Sequence, residues 1–354
     1  MTITAERAGA SAPAAGRPEA PTARLLLPAT ATAAEWHATR AAGIGGSDIA
    51  AILGLDKYRG PRHVFEAKHG RGEDVTSEAA EIGVEIEDFI ATLFGKRAGV
   101  PIGTPSGTLV NLERSWMLAN VDRYALDQET GAVVAPIECK NRSEYQLDDW
   151  EDGVPDAPAL QAHWYMAVGG WSYAWVVALV GGNKLRYHRL ERDEDLIGEL
   201  VAHCGGWFKR HIVEGHPPPA DGLAATKELL GRLWQVKPEE VATVELGKAK
   251  DLRARRAELK AQAKDVETEL NEVENEMRLL TEDAAVAKVG AVIAWTWKQN
   301  GAFASKRFRE AMPELAAQYT RMLPALDMDA LKEEQPDVYS QFRARVLNVP
   351  KKEI

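Results

Sequence analysis

Three residues in the middle of the chain combine two carboxylates with one amine at a spacing that could do hydrolytic chemistry. Glu138 and Lys140 lie at the end of an apolar, β-type run that starts at Val133. Because side chains alternate along a strand, residues two apart point to the same face. Asp122 ends another short apolar run 16 residues before Glu138, which leaves room for a turn and a returning strand. Two antiparallel strands could therefore bring both acids to one point.

An acid followed by Glu-x-Lys on an adjacent strand is the signature of the PD-(D/E)-x-K nucleases. In such a site two acids and the carbonyl of the residue between Glu and Lys hold a hard divalent cation, and the Lys lies near the attacking water. The alternative is an exposed sheet edge with a solvated ion pair, which is common for charged pairs. The surrounding residues must decide between the two.

Composition limits the class of protein without selecting a function. The 354 residues are 45% hydrophobic and 27% charged, enough for a full core and more than one domain. No apolar run approaches the roughly 18 residues of a membrane span, and two distant cysteines with no secretory pattern favour a reducing, cytoplasmic setting. The net charge of -10 does not indicate a nucleic-acid binder, although binding depends on where positive charges cluster.

The order of predicted elements is typical of a mixed α/β nuclease core. We predict a disordered leader over residues 1–30, because this stretch is rich in Ala, Pro and Thr. A nuclease domain over residues 31–222 follows, with helix, three strands, helix, two strands and helix in that order. The strands are predicted at residues 109–112, 116–121, 133–140, 171–180 and 184–190, and the helices at 78–94, 156–168 and 193–211.

The glycine-rich turn before residue 49 has two interpretations. Ser47 or Asp48 can cap the helix that follows, and the free N–H groups there could bind a phosphate. A plain N-cap after a flexible turn explains the same residues.

Residues 223–285 and 286–354 are predicted to form a helical coiled-coil region and a small α+β module. Apolar residues recur every seven positions, which predicts a heptad seam with charged flanks. Arg256 interrupts the seam, so a two-helix hairpin and an intermolecular coil both remain open. Trp295 and Trp297 could stack bases or belong to a core. The seam comprises Leu252, Leu259, Val266, Val273 and Leu280, with Ala263, Leu270 and Met277 between them.

Eight residues in a fixed order make the chain resemble the YqaJ-type viral recombinases, the family that includes phage lambda exonuclease. The resemblance covers residues 34–216 and includes the Arg40-x6-Ser47 spacing, Gly83-x3-Glu87, Asp122, Glu138-Cys-Lys140 and Gln161. It implies a restriction-endonuclease-like, PD-(D/E)XK core, in which a mixed central sheet is flanked by helices.

The resemblance also implies a role for each matching residue. Asp122, Glu138 and the Cys139 carbonyl are expected to ligate Mg²⁺, with Mn²⁺ as a possible substitute, and Glu87 is a further carboxylate that could bind a second ion. Lys140 would orient or deprotonate the attacking water.

Three more residues complete the expected site. Gln161 is similar to the glutamine on the helix that faces the active site, and Arg40 and Ser47 would hold a 5′-terminal phosphate.

Three positions depart from the family pattern or leave an alternative. Val121-Asp122-Arg123 replaces a frequent Pro-Asp-Gly, and His163 replaces a second helix glutamine. Glu85 competes with Glu87 for the helix carboxylate, and we prefer Glu87 for its distance from Gly83.

The function implied is a Mg²⁺-dependent 5′→3′ exonuclease on double-stranded DNA that leaves 3′ single-stranded tails for recombination. The implied partners are DNA ends, a single-strand annealing protein and copies of the chain in a ring of three or four, in a bacterial host cytoplasm. Lys57, Arg59, Arg62 and Lys68 could contact phosphates or form a solvated loop. The alternatives are a structure- or sequence-selective endonuclease and a non-catalytic DNA-binding scaffold.

Overall fold

The computed structural model describes residues 19–71, 78–234, 237, 239–321 and 325–343. The chain divides into two compact units, Met1–Gln235 and Val236–Ile354. The predicted borders after residues 30, 222 and 285 are finer than this division and stay predictions.

The first unit contains eight strands and seven helices among the residues described. The strands are β1 Ala23–Pro28, β2 Ile102–Gly103, β3 Gly107–Asn111, β4 Leu118–Ala119, β5 Arg123–Leu126, β6 Val133–Arg142, β7 Tyr173–Val180 and β8 Lys184–Glu191. The helices are α1 Ala33–Ala41, α2 Gly46–Ile52, α3 Pro61–Lys68, α4 Glu78–Ala98, α5 Asp156–Gly169, α6 Glu194–Trp207 and α7 Ala224–Leu233, and a π-helical turn, Phe208–Val213, continues α6.

The central sheet is mixed and has the strand order β2-β5-β6-β7-β8. β6 and β7 are parallel, and the other neighbouring pairs are antiparallel. A parallel pair needs a long crossover, which the chain supplies with α5. The mixed α/β core with flanking helices is therefore confirmed.

Both faces of the central sheet are buried. Along β7, Val176 and Ala178 pack into one core cluster with α5 and α6, whereas Val177 and Leu179 pack into another under α4. This alternation follows from the two-residue period of a strand. Ile82 and Phe89 of α4 are exposed, and the helix buries apolar residues of its later turns instead. The residues of α4 that are fully buried are Ile90, Ala91 and Phe94.

The strand that precedes Asp122 lies in a second, smaller sheet. β3 and β4 pair antiparallel, as predicted, but with β1 they form a separate sheet of order β1-β3-β4. The antiparallel neighbour of β6 is instead β5, which starts directly after Asp122. The sequence did not reveal β5 because it is only 4 residues long and carries a charged residue, Arg123.

The predicted disordered leader is wrong for residues 23–28. These residues form β1, which pairs antiparallel with β3, and the Thr22 N–H donates to the Gly169 carbonyl at 3.1 Å. The apolar side chains of Ala20 and Ala23 are buried, so this segment gains both hydrogen bonds and apolar contact. The part of the leader before residue 19 lies outside the described residues.

The second unit is built on one long helix, α8 Leu246–Thr281, of 36 residues. A two-helix hairpin is therefore excluded for this stretch. A β-hairpin of β9 Val286–Val289 and β10 Val292–Thr296 follows. Four short helices complete the described part of the unit, α9 Ser305–Ala311, α10 Pro313–Gln318, α11 Met328–Glu334 and α12 Pro336–Gln341.

The two tryptophans near β10 differ in environment. The Trp295 indole N–H donates to the Thr281 hydroxyl at 2.7 Å, which attaches the hairpin to the end of α8. Trp297 lies beyond the end of β10 and is 50% exposed. The two side chains therefore do not share a strand face.

Among the described residues, no helix has the length and apolar character that crossing a membrane requires.

Candidate active site

The pairing of β5 with β6 sets Asp122 across from Glu138. Arg123 pairs with Ile137 in this antiparallel register. Asp122, just before Arg123, therefore lies across from Glu138, just after Ile137. The Cys139 N–H donates to Asp122 Oδ2 at 2.7 Å, which fixes the Asp122 carboxylate against β6. The two acids therefore meet at one point of the sheet.

Lys140 contacts Glu138 and lies on the same face of β6. Its ammonium forms an ion pair with Glu138 Oε1 and donates to Gln161 Oε1 at 3.2 Å. Gln161 lies on α5, the helix that connects β6 to β7. The crossover helix therefore closes the site over the end of the acid-bearing strand.

Glu87 approaches the acids from α4 and is partly buried, whereas Glu85 is exposed. Burial, and then the charge of Glu138, raise the pKa of Glu87 above its usual value. The structure therefore places Glu87 within electrostatic reach of the site and leaves Glu85 in solvent.

The carboxylates at this point repel one another. Burial raises the pKa of Asp122 well above its usual value, and the charges of Glu138 and Glu87 raise it further. Burial lowers the pKa of Lys140, but Glu138 and Asp122 outweigh that effect and raise it. Besides Lys140, Arg123 acts on Glu87 and Arg142 acts on Glu138. The pKa of Asp122 is still raised, so these cations leave its charge incompletely compensated.

The donor set fits a hard divalent cation. Glu138 Oε2 is buried and accepts no hydrogen bond from the described residues, so one carboxylate oxygen is oriented inward without a partner. Oxygen donors are the ligands that Mg²⁺ prefers, and Mg²⁺ keeps several waters beside one or two carboxylates. Among the described residues, no three His, Cys, Asp or Glu side chains are grouped so that they could hold a metal ion by themselves.

A hydrogen-bonded chain beneath the site was not predicted from the sequence. Gln161 Nε2 donates to the Tyr165 hydroxyl at 2.8 Å, and that hydroxyl donates to the Asn120 carbonyl at 2.6 Å. These bonds link the orientation of Gln161 to the strand end just before Asp122. The four-residue spacing of Gln161 and Tyr165, which puts them on one face of α5, was the available signal.

Gly46 brings α2 into contact with this chain of hydrogen bonds. A Cβ at this position would lie 2.6 Å from Tyr165 Cε1 and 2.9 Å from Gln161 Cγ. The first residue of α2 thus packs directly on the helix that carries Gln161. Ser47, the next residue, therefore lies beside the acidic site.

Arg40 and Ser47 are brought together, as the resemblance implies. Arg40 Nη2 donates to Ser47 Oγ at 3.1 Å, and the guanidinium lies over the Trp36 ring at 4.7 Å. Ser47 does not cap α2, because Asp48 accepts from the Gly45 N–H at 3.1 Å and performs that role.

Three cations converge on Asp48, which is 2% exposed. Lys68 Nζ lies 2.9 Å from its carboxylate, Arg59 lies at 3.6 Å and Arg40 at 3.7 Å. Burial raises the pKa of Asp48, but the three cations outweigh burial and lower it. These four groups, which we call the Asp48 cluster, line part of a cavity of about 480 Å³ and carry two net positive charges.

Three of the four cations expected to contact phosphates pair with buried carboxylates, and Arg59 does so through Asp48. Lys68 is buried and also donates to the Arg40 carbonyl at 2.9 Å. Arg62 forms an ion pair with buried Glu66 at 2.6 Å. Neither Lys68 nor Arg62 belongs to a solvated loop, because each neutralises a buried carboxylate.

His163 also has a structural partner. Its ring lies 2.8 Å from the Ala159 carbonyl, one helical turn earlier, and it is buried. His163, which stands where the family pattern has a second glutamine, is therefore held by a contact within α5.

Comparison with known proteins agrees with the residue pattern. The model of the YqaJ-like viral recombinase domain matches residues 35–172. The uncharacterized protein YqaJ of Bacillus subtilis (strain 168) is 34% identical over 229 residues, which span 63% of this chain and 68% of that protein.

Solved structures with likeness to this chain include two exonucleases. A structure of LHK-Exo, an alkaline exonuclease of Laribacter hongkongensis, in complex with dAMP has a TM-score of 0.42 and 17% identity, and covers 51% of this chain and 93% of its own. A phage-related exonuclease of Haemophilus somnus 129PT has a TM-score of 0.39 and 14% identity, with 49% and 96% covered.

The matched range contains Arg40, Ser47, Glu87 and Asp122 together with the strand and helix that carry Glu138, Lys140 and Gln161. On these two matches, to the domain model and to the Bacillus subtilis protein, this chain belongs to the YqaJ-like viral recombinase family.

Proposed function

We propose that this protein is a Mg²⁺-dependent 5′→3′ exonuclease that acts on double-stranded DNA and leaves 3′ single-stranded tails for phage-type homologous recombination. Membership of the recombinase family supports a nuclease role. The observation that carries the proposal is the meeting of Asp122 and Glu138 beside Lys140, with Glu138 Oε2 buried and unpartnered among the described residues.

Asp122, Glu138 and the Cys139 carbonyl would hold the metal ion, and Glu87 would supply a carboxylate for a second. When bound, Mg²⁺, or Mn²⁺ in its place, would neutralise charge on the scissile phosphate and lower the pKa of a coordinated water. The mutual repulsion of the acids in the metal-free site supports this assignment, because a cation would relieve it.

Lys140 and Gln161 would position the attacking water. Lys140 bridges Glu138 and Gln161, so its ammonium is held at the edge of the acids rather than free to rotate. Fixed donors of this kind act without reorganisation in the transition state. Gln161 is itself fixed through Tyr165.

Arg40 and Ser47 would bind the 5′-terminal phosphate. The Asp48 cluster supplies net positive charge, and Gly46 connects this region to the helix that carries Gln161. A phosphate held here would set the distance from the DNA end to the scissile bond, which favours removal of nucleotides from an end.

The wider setting is also part of the proposal. Double-stranded DNA ends are the substrate, a single-strand annealing protein is the expected partner, and a ring of three or four copies would enclose the DNA. The bacterial host cytoplasm is the proposed location.

A time course on end-labelled linear duplex with Mg²⁺ tests the proposal. We expect release of mononucleotides from the 5′ end, faster with a 5′-phosphate than with a 5′-hydroxyl, and no product in a chelator. A covalently closed circle should remain intact. Digestion of the circle would contradict the exonuclease and favour an endonuclease of the same fold.

Two arginine variants distinguish recognition of the 5′-phosphate from ion pairing with Asp48. Arg40→Ala should abolish the preference for 5′-phosphate, because it removes the group that contacts Ser47. Arg59→Ala also removes a cation from Asp48, at a similar distance, but leaves the Arg40–Ser47 contact intact. It should weaken phosphate binding and keep the preference for a 5′-phosphate. A preference that survives Arg40→Ala would place the phosphate pocket elsewhere.

A further inference from the structure

The heptad seam of α8 is exposed to solvent along its length. Every large aliphatic residue of the seam is at least 47% exposed, and α8 buries only Thr281. These residues are Leu252, Leu259, Val266, Leu270, Val273 and Leu280. A helix of this length is stable in water mainly when such a face is covered by a partner.

The charges that flank the seam are divided between the two halves of the helix. With Leu252 at position d and Ala263 at position a, the flanking e and g positions are basic in the first half and acidic in the second. The basic set is Arg253, Arg255 and Lys260, and the acidic set is Glu267, Glu269, Glu274 and Glu276. Flanking charges of this kind set the partner and the orientation of a coiled coil.

A parallel pair of identical helices would place like charges together. In a parallel coil each g residue faces the e residue five positions later on the other helix. Arg255 would then face Lys260, and Glu269 would face Glu274. Like charges in these pairs disfavour parallel pairing.

An antiparallel pair converts the same charges into attraction. Position e then faces e and g faces g, so Lys260 of one copy meets Glu267 of the other, and Arg253 meets Glu274. On the opposite flank Arg255 meets Glu276. Because the pairing is two-fold symmetric, each contact occurs twice.

The seam residues match in the same register. Leu252 lies in one layer with Met277 of the second copy, Leu259 with Leu270, and Ala263 with Val266. These layers place one a residue against one d residue throughout, with the small Ala263 next to the two-fold axis. Arg256 falls opposite Val273, where its aliphatic stem can cover the valine while the guanidinium reaches water.

We infer that α8 pairs with α8 of a second copy of this chain as an antiparallel coiled coil. The occupant of the seam is therefore the same helix, reversed. The ion pairs within α8, Arg255 with Glu258 and Arg278 with Glu274 at 2.6 Å each, are exposed and contribute little. Ion pairs between the two helices can therefore replace these pairs within α8 at little cost in stability.

Cross-linking of the full-length chain tests the orientation. Cys139 and Cys204 are buried, so new surface cysteines react against a low background. We expect a mixture of the L252C and M277C variants, carried on chains of different size, to form a mixed disulfide on oxidation. Neither variant should cross-link with itself, because the two copies of residue 252 would be about 38 Å apart in an antiparallel pair at 1.5 Å per residue. Efficient cross-linking of L252C alone, or none in the mixture, would overturn the inference.

Charge reversal tests the contacts between the helices. It should weaken association in an antiparallel pair and strengthen it in a parallel pair. In the antiparallel pair K260E sets one glutamate against Glu267 in each of two places, so the concentration for half-maximal 252–277 cross-linking should rise roughly tenfold. The double variant K260E/E267K restores both attractions and should return to the original value. In a parallel pair K260E would instead relieve repulsion from Arg255. Stronger or unchanged association of K260E would overturn the antiparallel arrangement.

Discussion

Asp122 and Asp48 are both carboxylates held away from bulk water, yet their surroundings move their pKa values in opposite directions. Asp122 faces Glu138 and Glu87, which add to the effect of burial and raise its pKa. Asp48 faces three cations, which outweigh burial and lower its pKa. The first carboxylate therefore lacks compensating charge in the metal-free protein, whereas the second already has it.

The Asp122→Asn variant should be more stable than the wild type in a chelator. An acid whose pKa is raised by folding costs stability when it is ionised at neutral pH, and the amide removes that charge while its oxygen can still accept from the Cys139 N–H. Thermal unfolding in EDTA measures the effect, and a gain of about 1 kcal/mol corresponds to roughly 2–4 °C in a chain of this size.

Addition of Mg²⁺ completes that test. The melting temperature of the wild type should rise with Mg²⁺ because the ion binds the folded state, and that of Asp122→Asn should rise much less. An equal Mg²⁺ response in both proteins would contradict the assignment of Asp122 as a ligand.

Glu87→Gln and Glu85→Gln form a matched pair on one helix. Glu87 interacts electrostatically with Glu138 and Lys140, whereas Glu85 is exposed. We expect Glu87→Gln to lower the rate of digestion by about 10–100-fold, as for residues that tune a metal site, and Glu85→Gln to leave it nearly unchanged. The reverse result would assign the helix carboxylate to Glu85.

Asp48→Asn should destabilise the fold by about 3–5 kcal/mol at neutral pH, because it leaves the buried ammonium of Lys68 without its carboxylate. The lowered pKa gives the sign with pH. The contribution of Asp48 is fully present above its ordinary pKa of 3.8 and is lost as the pH falls through the lowered value. Urea unfolding at several acidic pH values should therefore show a shallower pH dependence for Asp48→Asn than for the wild type. Asp195→Asn, on the exposed first turn of α6, is the control that should change neither quantity.

At the scale of elements, the site depends on how two helices pack on the strand ends. α5 carries Gln161 and Tyr165 over the acids, and α2 brings Ser47 beside them. The contact between these helices is made at Gly46, where a side chain would not fit. The close approach of Gly46 therefore helps to set the spacing between the acids and the Arg40–Ser47 pair.

Gly46→Ala should disturb the site more than its size suggests. The added methyl group would overlap Tyr165 and Gln161, and overpacking of this kind typically costs about 1–3 kcal/mol. Displacement of Gln161 should also lower kcat, since Gln161 holds Lys140.

Gly198→Ala on α6 is the matched control. A Cβ at Gly198 meets no atom within 4 Å, so the substitution should stabilise the helix by up to about 1 kcal/mol and leave kcat unchanged. Urea unfolding and single-turnover digestion report the two effects for both variants. Equal behaviour of the two variants would mean that the α2 and α5 contact tolerates a side chain.

At the scale of the whole molecule, the candidate site and α8 belong to different units. All eight candidate site residues precede residue 235, and α8 lies in the second unit. Hydrolysis and association through α8 should therefore be separable.

A chain that ends after residue 235 should still digest linear duplex DNA in the presence of Mg²⁺. It should lose the cross-linking that depends on α8, because that helix is absent. Digestion assays and sedimentation of the truncated and full chains measure the two properties. If the short chain folds, as judged by circular dichroism, but cannot cleave, the second unit contributes to the reaction.

The sequence by itself identified the side chains of the candidate site and the local pattern around them, because residue types and local periodicity are properties of short segments. The two-residue spacing of Glu138 and Lys140 put both on one face of β6, and the seven-residue spacing in α8 predicted its seam. Only the tertiary structure decided which segments meet. It placed β5, four residues with a charged start, next to β6, and it assigned Glu87 rather than Glu85 to the site. It also turned Asp48 from a simple helix cap into the centre of three cations. These outcomes depend on long-range packing and on the balance of buried charges, and neither is encoded in the order of neighbouring residues.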